Sequence, residues 1–392
     1  MHAGVDISIR PHPERPEVRI RGRRPPDLLP LLRERPAEEA PGFVRMILSV
    51  CGHAQARACA LALGLSHHPA AGLAGAAAVI GEVAREHLLR VLRLKERRKY
   101  GEAEPAAIAR QIARLPQRAA HAAQENAQAL RQMAASLAEL LRKRVLGLPP
   151  REWRAMRTAA ELREWMREGQ TPPAIWLYRL WQAGLADAGL AQPRFLAVPG
   201  RPEARMAFTG WLYQRLLEPD GEDFAACPHW HGRPCETGAL ARQHRHPLVA
   251  DLLQRSQGAG LLTRHVARLL ELAEAPARLE RLAEEGEPEQ DALPAVPGLG
   301  LVESPRGLLA HAAATDAAGR VRQWRTLAPT EWNFHPDGVL REGLSDIASR
   351  FHRDPARVEA LATELVLALD PCVRCRVEVV SSTQDASAAT GG

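Results

Sequence analysis

The residues best suited to chemistry lie near the carboxyl end, in the segment Asp370-Pro371-Cys372-Val373-Arg374-Cys375. The Cys-x-x-Cys spacing lets one tight turn offer two thiolates to a single metal, and thiolates select soft or borderline metals. A third cysteine, Cys51, lies far upstream in the sequence. If the fold brings the two ends of the chain together, the three sulfur atoms converge on one site.

A second set of candidate ligands has the pattern Cys-x-His-x-His-x-x-x-Cys and consists of Cys227, His229, His231 and Cys235. Thiolate and imidazole are the preferred ligands of zinc, so a zinc site could form here. The alternate spacing on a short loop makes simultaneous ligation by all four side chains geometrically awkward. The remaining cysteine, Cys59, lies in an apolar stretch and is expected to pack inside a helix.

The composition is typical of a helical cytoplasmic protein. Of 392 residues, 46% are hydrophobic and only 4% are aromatic, which is sufficient for a large core. The sequence contains no run of about twenty uncharged apolar residues, so no membrane span is predicted. The amino end lacks the basic and apolar regions of a secretory signal. Six cysteines in so long a cytoplasmic chain favour metal or redox chemistry over a disulfide framework.

The net charge of +6 does not by itself predict nucleic-acid binding. The densest basic segment, residues 93–99, follows an amphipathic helical stretch and has Tyr100 as its neighbouring aromatic residue. A solvated helix end is therefore preferred to contact with RNA or DNA. The sequence signatures of phosphate loops, dinucleotide-binding folds and serine hydrolases are also missing.

Helices should form most of the scaffold that positions the cysteines. Apolar side chains recur at helical spacing over residues 117–146 and 151–167, and Thr171 before two prolines is a typical helix N-cap. A short β hairpin is expected at the amino end, where residues 5–9 and 18–20 alternate between apolar and polar.

Three further segments do not have helical patterns. Residues 286–300 are rich in proline, glycine and acidic side chains and predict a surface loop, whereas residues 316–330 predict a hairpin around Gly319. Residues 381–392 are small and polar, which predicts a disordered tail. The predicted fold is therefore mainly α, with one domain over residues 1–380 and small β hairpins at its edges.

Several segments occur in the order in which one protein family has them. They are residues 32–40, residues 44–52, residues 232–242, residues 303–311, Pro329-Thr330-Glu331-Trp332-Asn333 and the cysteine segment that begins at Asp370. Together they resemble the large subunit of nickel-iron hydrogenases over roughly residues 20–378. The resemblance implies a hydrogenase-large-subunit-like helical bundle.

In that family, two Cys-x-x-Cys pairs hold nickel and an iron that carries cyanide and carbon monoxide. The resemblance implies that Cys51, Cys372 and Cys375 match three of these four cysteines. Ala54 stands where the fourth would bridge the two metals. Because a methyl group cannot coordinate a metal, a complete bimetallic site cannot close, and nickel is not expected to bind.

Other positions extend the comparison. Arg306 and Asp370 match residues that line the family's active site and could hydrogen-bond a cyanide-bearing iron, although a structural ion pair is an alternative for Arg306. Ser49 replaces an arginine before the first cysteine, and Glu378 replaces the histidine that marks a processing site. Residues 21–24 supply arginine where the family has a glutamate for proton transfer.

These departures are similar to those of accessory paralogues of the large subunit, the hydrogenase expression/formation protein HupK group. The resemblance implies a non-catalytic cytoplasmic scaffold that holds the iron-dicyano-carbonyl fragment and passes it on. Its partners would be the hydrogenase large-subunit precursor and other hydrogenase maturation proteins. Two alternatives stay open: a divergent catalytic large subunit, and a zinc-stabilised interaction module without iron.

Overall fold

The computed structural model describes residues 3–92 apart from 26 and 34, then 104–196, 198, 201–286 and 296–380. Helices run through most of these segments, so the predicted mainly α fold is confirmed. The helices are α1 (Leu29–Leu32), α2 (Ala40–Ile47), α3 (Gly52–Ala62), α4 (Leu73–Val91), α5 (Glu104–Ala113), α6 (Leu115–Glu125), α7 (Ala127–Leu141), α8 (Pro150–Arg154), α9 (Ala159–Glu168), α10 (Pro172–Gln182), α11 (Pro202–Leu217), α12 (Gly221–Ala226), α13 (Ala239–Gln243), α14 (Pro247–Ser256), α15 (Leu261–Glu285), α16 (Pro329–Asn333), α17 (Val339–Arg350) and α18 (Pro355–Leu369).

The strands belong to two small sheets, and short non-α turns extend some helices. The strands are β1 (Gly4–Arg10), β2 (Glu17–Arg23), β3 (Leu299–Ser304), β4 (Gly307–Thr315), β5 (Val321–Leu327) and β6 (Arg374–Val379). The turns are 3-10 turns at Ala37–Glu39 and Ser49–Cys51 and a π turn at Arg142–Leu146. Among the described residues, no helix is long and apolar enough to cross a membrane.

The centre of the molecule is a bundle in which α4, α6, α7 and α15 pack against one another. Alanine and leucine side chains form most of its buried surface, which explains how a chain with few aromatic residues builds a large core. At one crossing the backbones approach closely, because a Cβ atom at Gly81 of α4 would lie only 2.7 Å from the carbonyl oxygen of Leu115. A glycine is required at this contact.

The predicted helix over residues 117–146 is two helices, so that boundary was wrong. Asn126 separates α6 from α7 with extended backbone, and its side chain accepts a hydrogen bond from Ala129 N as the N-cap of α7. The π turn then continues α7 to Leu146, where Gly147 in the left-handed region ends it. Apolar periodicity continues through Asn126 because both helices turn their apolar sides to the same core.

The predicted helix over residues 151–167 also divides in two. Thr158 and Glu161 form a capping box that starts α9 separately from α8. Thr171 is the N-cap residue of α10, as predicted, with Pro172 in the first turn. Its hydroxyl makes no capping hydrogen bond, so the helix start depends on the prolines rather than on the threonine side chain.

The first sheet joins the two ends of the chain. The predicted amino-terminal hairpin is confirmed as β1 and β2, and β6 adds to β1 as a parallel strand. In this register Cys375 lies opposite Val5. The carboxyl-terminal cysteine segment is therefore anchored to the amino-terminal hairpin.

The second sheet has the order β3-β4-β5 and is antiparallel. Gly319, with a φ of 73°, lies in the turn between β4 and β5, which confirms a hairpin around this residue. The predicted bounds of 316–330 were wrong, because β4 ends at Thr315. The last two residues of the loop predicted over residues 286–300 belong instead to β3, which begins at Leu299. Residues 287–295 of that prediction lie outside the described residues. The basic segment 93–99 and the predicted tail 381–392 lie outside the described residues.

The contact between β3 and α3 provides a test of this packing. A Cβ atom at Gly300 would lie 1.9 Å from the carbonyl oxygen of Ala58, so Gly300→Ala should force the sheet away from α3. We expect the free energy of unfolding to fall by about 2 kcal/mol, within the range for overpacked interiors. Chemical denaturation measures the change. Gly22→Ala is the control because a Cβ there meets nothing within 4 Å, and equal effects of the two substitutions would contradict the packing.

Candidate metal centre

Cys51 ends a 3-10 turn immediately before α3 and is buried, with 6% of its surface exposed. The first amide groups of α3 have no helical partner, and Glu82 of α4 accepts two of them, from His53 N at 3.1 Å and Ala54 N at 2.9 Å. Arg85 donates to the carbonyl oxygen of Val50 at 3.1 Å. Two side chains of α4 therefore fix the backbone on both sides of Cys51.

Arg306, in the turn between β3 and β4, reaches the Cys51 sulfur. Its Nη1 donates to Cys51 Sγ at 2.9 Å, and its Nη2 donates to Glu86 Oε2 at 2.9 Å and lies 3.6 Å from Asp370 Oδ1. Burial raises the pKa of the Cys51 thiol well above its ordinary value, and the Arg306 cation offsets only part of that effect. The cysteine is thus held as a thiol beside a cation that would stabilise its thiolate.

Two residues that the sequence reasoning did not single out hold the Arg306 turn. Thr237 Oγ1 accepts from Leu308 N at 3.0 Å, and Asn333 Oδ1 accepts from Thr237 N at 2.8 Å. The Asn333 side chain also donates to the Arg306 carbonyl oxygen at 3.2 Å. The signal for this role was already in the sequence, since Thr237 and Asn333 belong to the segments that carry the family resemblance.

The carboxyl-terminal cysteine loop leaves α18 at Asp370, which has a left-handed φ of 53° and is 3% exposed. Burial alone would raise the pKa of Asp370, but the Arg306 and Arg90 cations outweigh it and lower the pKa. Arg90 Nε donates to Asp370 Oδ1 at 2.7 Å. Thr330 Oγ1 then accepts from Cys372 N at 3.3 Å and lies 3.0 Å from Cys372 Sγ. This loop is therefore fixed by the ion pair of Asp370 with Arg90 and by the hydrogen bond from Cys372 N to the Thr330 hydroxyl group.

Cys51 and Cys372 line one cavity of about 300 Å³. Burial raises the pKa of Cys372, and the nearby Glu331 carboxylate raises it further. Arg24 lines the same cavity and donates to the Thr326 carbonyl oxygen at 2.6 Å. One arginine of residues 21–24, the segment that has arginine where the family has a glutamate, is thus close to the candidate site.

Cys375 does not line this cavity. It lies on β6 and is partly buried against the bundle, where burial and the neighbouring Cys372 raise its pKa to about 12. Among the described residues, no group of three or more Cys, His, Asp and Glu side chains is arranged to hold a metal ion. The structure therefore brings two of the three predicted thiols to one cavity and places the third on the adjoining strand.

Ala54 occupies the third position of α3 and is fully buried. Its side chain packs in a small apolar cluster that also contains Cys51, Val302 and Leu309. This part of α3, directly after Cys51, therefore contributes apolar packing and no sulfur ligand.

The candidate zinc ligands are separated. Cys227 is exposed at the end of α12, whereas Cys235 is buried and its sulfur lies 3.8 Å from the Arg233 carbonyl oxygen. The His229 ring packs edge-on against His335. The His231 ring lies against Trp230 instead. Since the four residues form no described cluster, the geometry gives the zinc alternative no support.

A buried ion-pair network lies behind the cysteine loops. Arg242 donates to both carboxylate oxygens of Glu271, and His87 Nε2 lies 2.7 Å from Glu271 Oε2. Burial alone would raise the pKa of Glu271, but Arg242 and His87 outweigh it and hold the pKa well below its ordinary value. The network ties α4, α13 and α15 together beneath the site.

The comparisons with solved structures define the class of fold. An NAD+-reducing NiFe-hydrogenase in the H2-reduced state superposes with a TM-score of 0.56 at 17% identity, covering 91% of this chain and 92% of the other. The reduced, active Ni-Fe-Se hydrogenase from Desulfomicrobium baculatum gives 0.53 at 16% identity, covering 91% and 93%. The fold is that of nickel-iron hydrogenase large subunits.

Several relatives in sequence are named hydrogenase expression/formation proteins. The hydrogenase expression/formation protein HoxV of Cupriavidus necator is 32% identical over 383 residues, which cover 93% of this chain and 94% of HoxV. HupK of Rhodobacter capsulatus is 25% identical, covering 96% and 98%. No protein-family model matches the sequence. The chain belongs to the family of hydrogenase expression/formation proteins, and the names of its relatives support a role in hydrogenase maturation.

The buried Glu271 carboxylate should make the stability depend on pH. Folding lowers its pKa, so its contribution is present above the unfolded value of about 4.3 and is lost as pH falls from there toward the folded value. Glu271→Gln leaves Arg242 without its bidentate partner and should lower the free energy of unfolding by about 3 kcal/mol at neutral pH. Urea unfolding at neutral pH and near pH 4 measures both effects.

The difference in the free energy of unfolding between wild type and Glu271→Gln should be smaller at the lower pH. Glu139→Gln is the control, because Glu139 forms an exposed pair with Arg142 and should change stability little at either pH. A constant difference between wild type and Glu271→Gln across this range would contradict the assigned pKa shift.

Proposed function

We propose that this chain is a non-catalytic maturation scaffold that holds the iron-dicyano-carbonyl fragment and transfers it during assembly of the nickel-iron hydrogenase active site. The observation that carries the proposal is that Cys51 and Cys372, from opposite ends of the sequence, line one cavity of about 300 Å³. The hydrogenase large-subunit fold and the expression/formation names of the relatives support the proposal.

The chemistry of the cavity suits a cargo that binds through sulfur. Each thiol that becomes a ligand must lose its proton, and the iron then replaces that proton on the sulfur. The Arg306 guanidinium, which donates to Cys51 Sγ at 2.9 Å, would stabilise the resulting thiolate. Guanidinium donors also suit the nitrogen atom of an iron-bound cyanide. Cys375 joins this set as a predicted ligand from the adjoining strand.

An incomplete ligand set suits a carrier rather than an enzyme. Ala54 supplies a buried methyl group where a second sulfur after Cys51 would be needed to bridge two metals. A site with fewer thiolates holds one iron and leaves positions open through which ligands can exchange. The partners of such a scaffold are the hydrogenase large-subunit precursor and the maturation proteins that supply and receive the fragment.

A divergent catalytic large subunit is the second candidate. One observation favours it: a segment of 177 residues is 29% identical to the sulfhydrogenase 1 subunit alpha of Pyrococcus furiosus, which covers 40% of each chain. A catalytic subunit would retain nickel and oxidise hydrogen. Stoichiometric nickel together with hydrogen-dependent dye reduction by the purified protein would establish this alternative and overturn the carrier.

Infrared spectroscopy of the protein purified without oxygen tests the cargo directly. Cyanide and carbon monoxide bound to iron absorb where protein does not, so we expect their bands in the wild type. Cys51→Ser and Cys372→Ser should lose these bands and should lower hydrogenase activity in the cell. Cys375→Ser should do the same if Cys375 is also a ligand.

Cys59→Ser is the matched control, because Cys59 is fully buried in α3 and does not line the cavity. It should leave both the bands and the cellular hydrogenase activity unchanged at equal protein level. Full hydrogenase activity with the Cys51 and Cys372 variants would remove the main support for the iron-carrying role.

Adding a sulfur next to Cys51 tests why the site is incomplete. Loss of a contact outside the ligand shell changes metal affinity by about 10–100-fold, and a direct thiolate ligand should have at least that effect. Ala54→Cys should therefore slow iron release by at least about tenfold. Hydrogenase activity in the cell should then fall although the scaffold retains more iron. Ala60→Cys is the control, since Ala60 is equally buried in the same helix. Faster or unchanged iron release from Ala54→Cys would contradict the proposal.

A further inference from the structure

A second cavity, of about 20 Å³, lies where α4, α13, α15, the β3–β4 turn and the end of α18 meet. It is separate from the cavity that Cys51 and Cys372 line. A cavity of this kind needs about 10–15 Å³ to hold one water molecule. The volume therefore fits one small molecule. The hydrogen-bonding groups of the lining residues determine which molecule can bind.

Four buried polar atoms of the lining residues have no hydrogen-bond partner within the described protein. They are His87 Nδ1, Arg268 Nε, Arg306 Nε and Asp370 Oδ2. The four residues are between 1% and 4% exposed, so bulk solvent cannot satisfy them. An unsatisfied buried polar group costs about 1–3 kcal/mol. All four atoms belong to residues that line the cavity, so a single partner bound there would stabilise the fold.

The four atoms divide into two donors and two acceptors. The Nε atom of each arginine carries a hydrogen and can only donate. Asp370 Oδ2 is a carboxylate oxygen and accepts. His87 Nε2 donates to Glu271 Oε2 at 2.7 Å, so Nδ1 of the neutral ring presents a lone pair and also accepts. Burial lowers the pKa of His87, which keeps the ring neutral.

We propose that this cavity binds one internal water molecule, which accepts from Arg268 Nε and Arg306 Nε and donates to Asp370 Oδ2 and His87 Nδ1. Water has this number of donors and acceptors, and internal waters commonly make three or four such bonds. A metal ion would face two N–H groups, and an anion would face a carboxylate and a lone pair. Neither of these alternatives fits the walls.

The water would join the two cysteine loops. Arg268 Nη2 donates to the Ala368 carbonyl oxygen at 2.7 Å and so holds the end of α18, from which the Cys372 loop departs. Arg306 reaches Cys51 Sγ from the other side. The water therefore completes a hydrogen-bonded connection from one loop to the other, whether or not the cargo is iron.

A crystal structure at a resolution that shows ordered water tests the site. We expect a density peak in the cavity within hydrogen-bonding distance of all four atoms. An empty cavity, or direct pairing between His87 Nδ1 and Asp370 Oδ2, would overturn the proposal. The water site requires no metal or cargo. The outcome of this test therefore does not depend on whether the protein binds iron.

Arg268→Lys provides the second measurement. Lysine keeps a cation that can reach the carbonyl groups of α18 but has a methylene group in place of the Nε donor. The peak should weaken in this variant while the fold is retained. Arg57→Lys is the control, because Arg57 is also buried and donates to the Ala71 carbonyl oxygen at 2.6 Å, away from this cavity. An unchanged peak in Arg268→Lys would overturn the four-partner arrangement.

Discussion

The contact on which the rest of the site depends is the one between the Arg306 guanidinium and the Cys51 sulfur. A cation buried at this depth must be balanced by nearby negative charge, and Glu86 and Asp370 supply it from two different helices. The same side chain therefore links α4, the end of α18 and the loop before α3. Any large displacement of one cysteine loop would leave a charge in the interior without its partner. The positions of the two loops are consequently set by electrostatics as much as by apolar packing.

Burial also explains why both thiols should be chemically unreactive in the protein alone. Both Cys51 and Cys372 lie where desolvation raises the pKa of the thiol, so neither carries a charge that would attract oxidants or stray cations. Under the proposed function, the metal would bring positive charge to the two sulfur atoms. Arg306 provides part of that charge in advance, and Thr330 remains within reach of the Cys372 sulfur. The arrangement favours ligation over free thiolate.

Much of the fold could be predicted from the sequence, because apolar periodicity reports directly on which side of a helix faces the core. The mainly α architecture and the hairpins near Ile7 and Gly319 followed from such patterns, and the ordered motifs indicated the family. The interruptions at Asn126 and Thr158 could not be seen in this way, since a cap alters the backbone without disturbing the apolar spacing. A residue that acts through distant contacts and lies outside those motifs, such as Glu82, has no local signal.

The Cys-x-x-Cys motif shows the same limit. Its spacing suggested a tight turn, but Cys375 already belongs to β6, where successive side chains point to opposite faces. Joint ligation by Cys372 and Cys375 therefore remains a prediction.

The parallel pairing of β6 with β1 has a consequence for the order of events during synthesis. The amino-terminal hairpin and the Cys51 loop leave the ribosome early, whereas β6 is almost the last described segment to emerge. Until then the outer edge of β1 has no neighbour, and the wall that carries Cys372 is absent. Contacts between such distant parts of a chain form slowly. Under the proposed function, a chain that is still being translated could not accept cargo, because the wall that carries Cys372 forms only in the last step of folding.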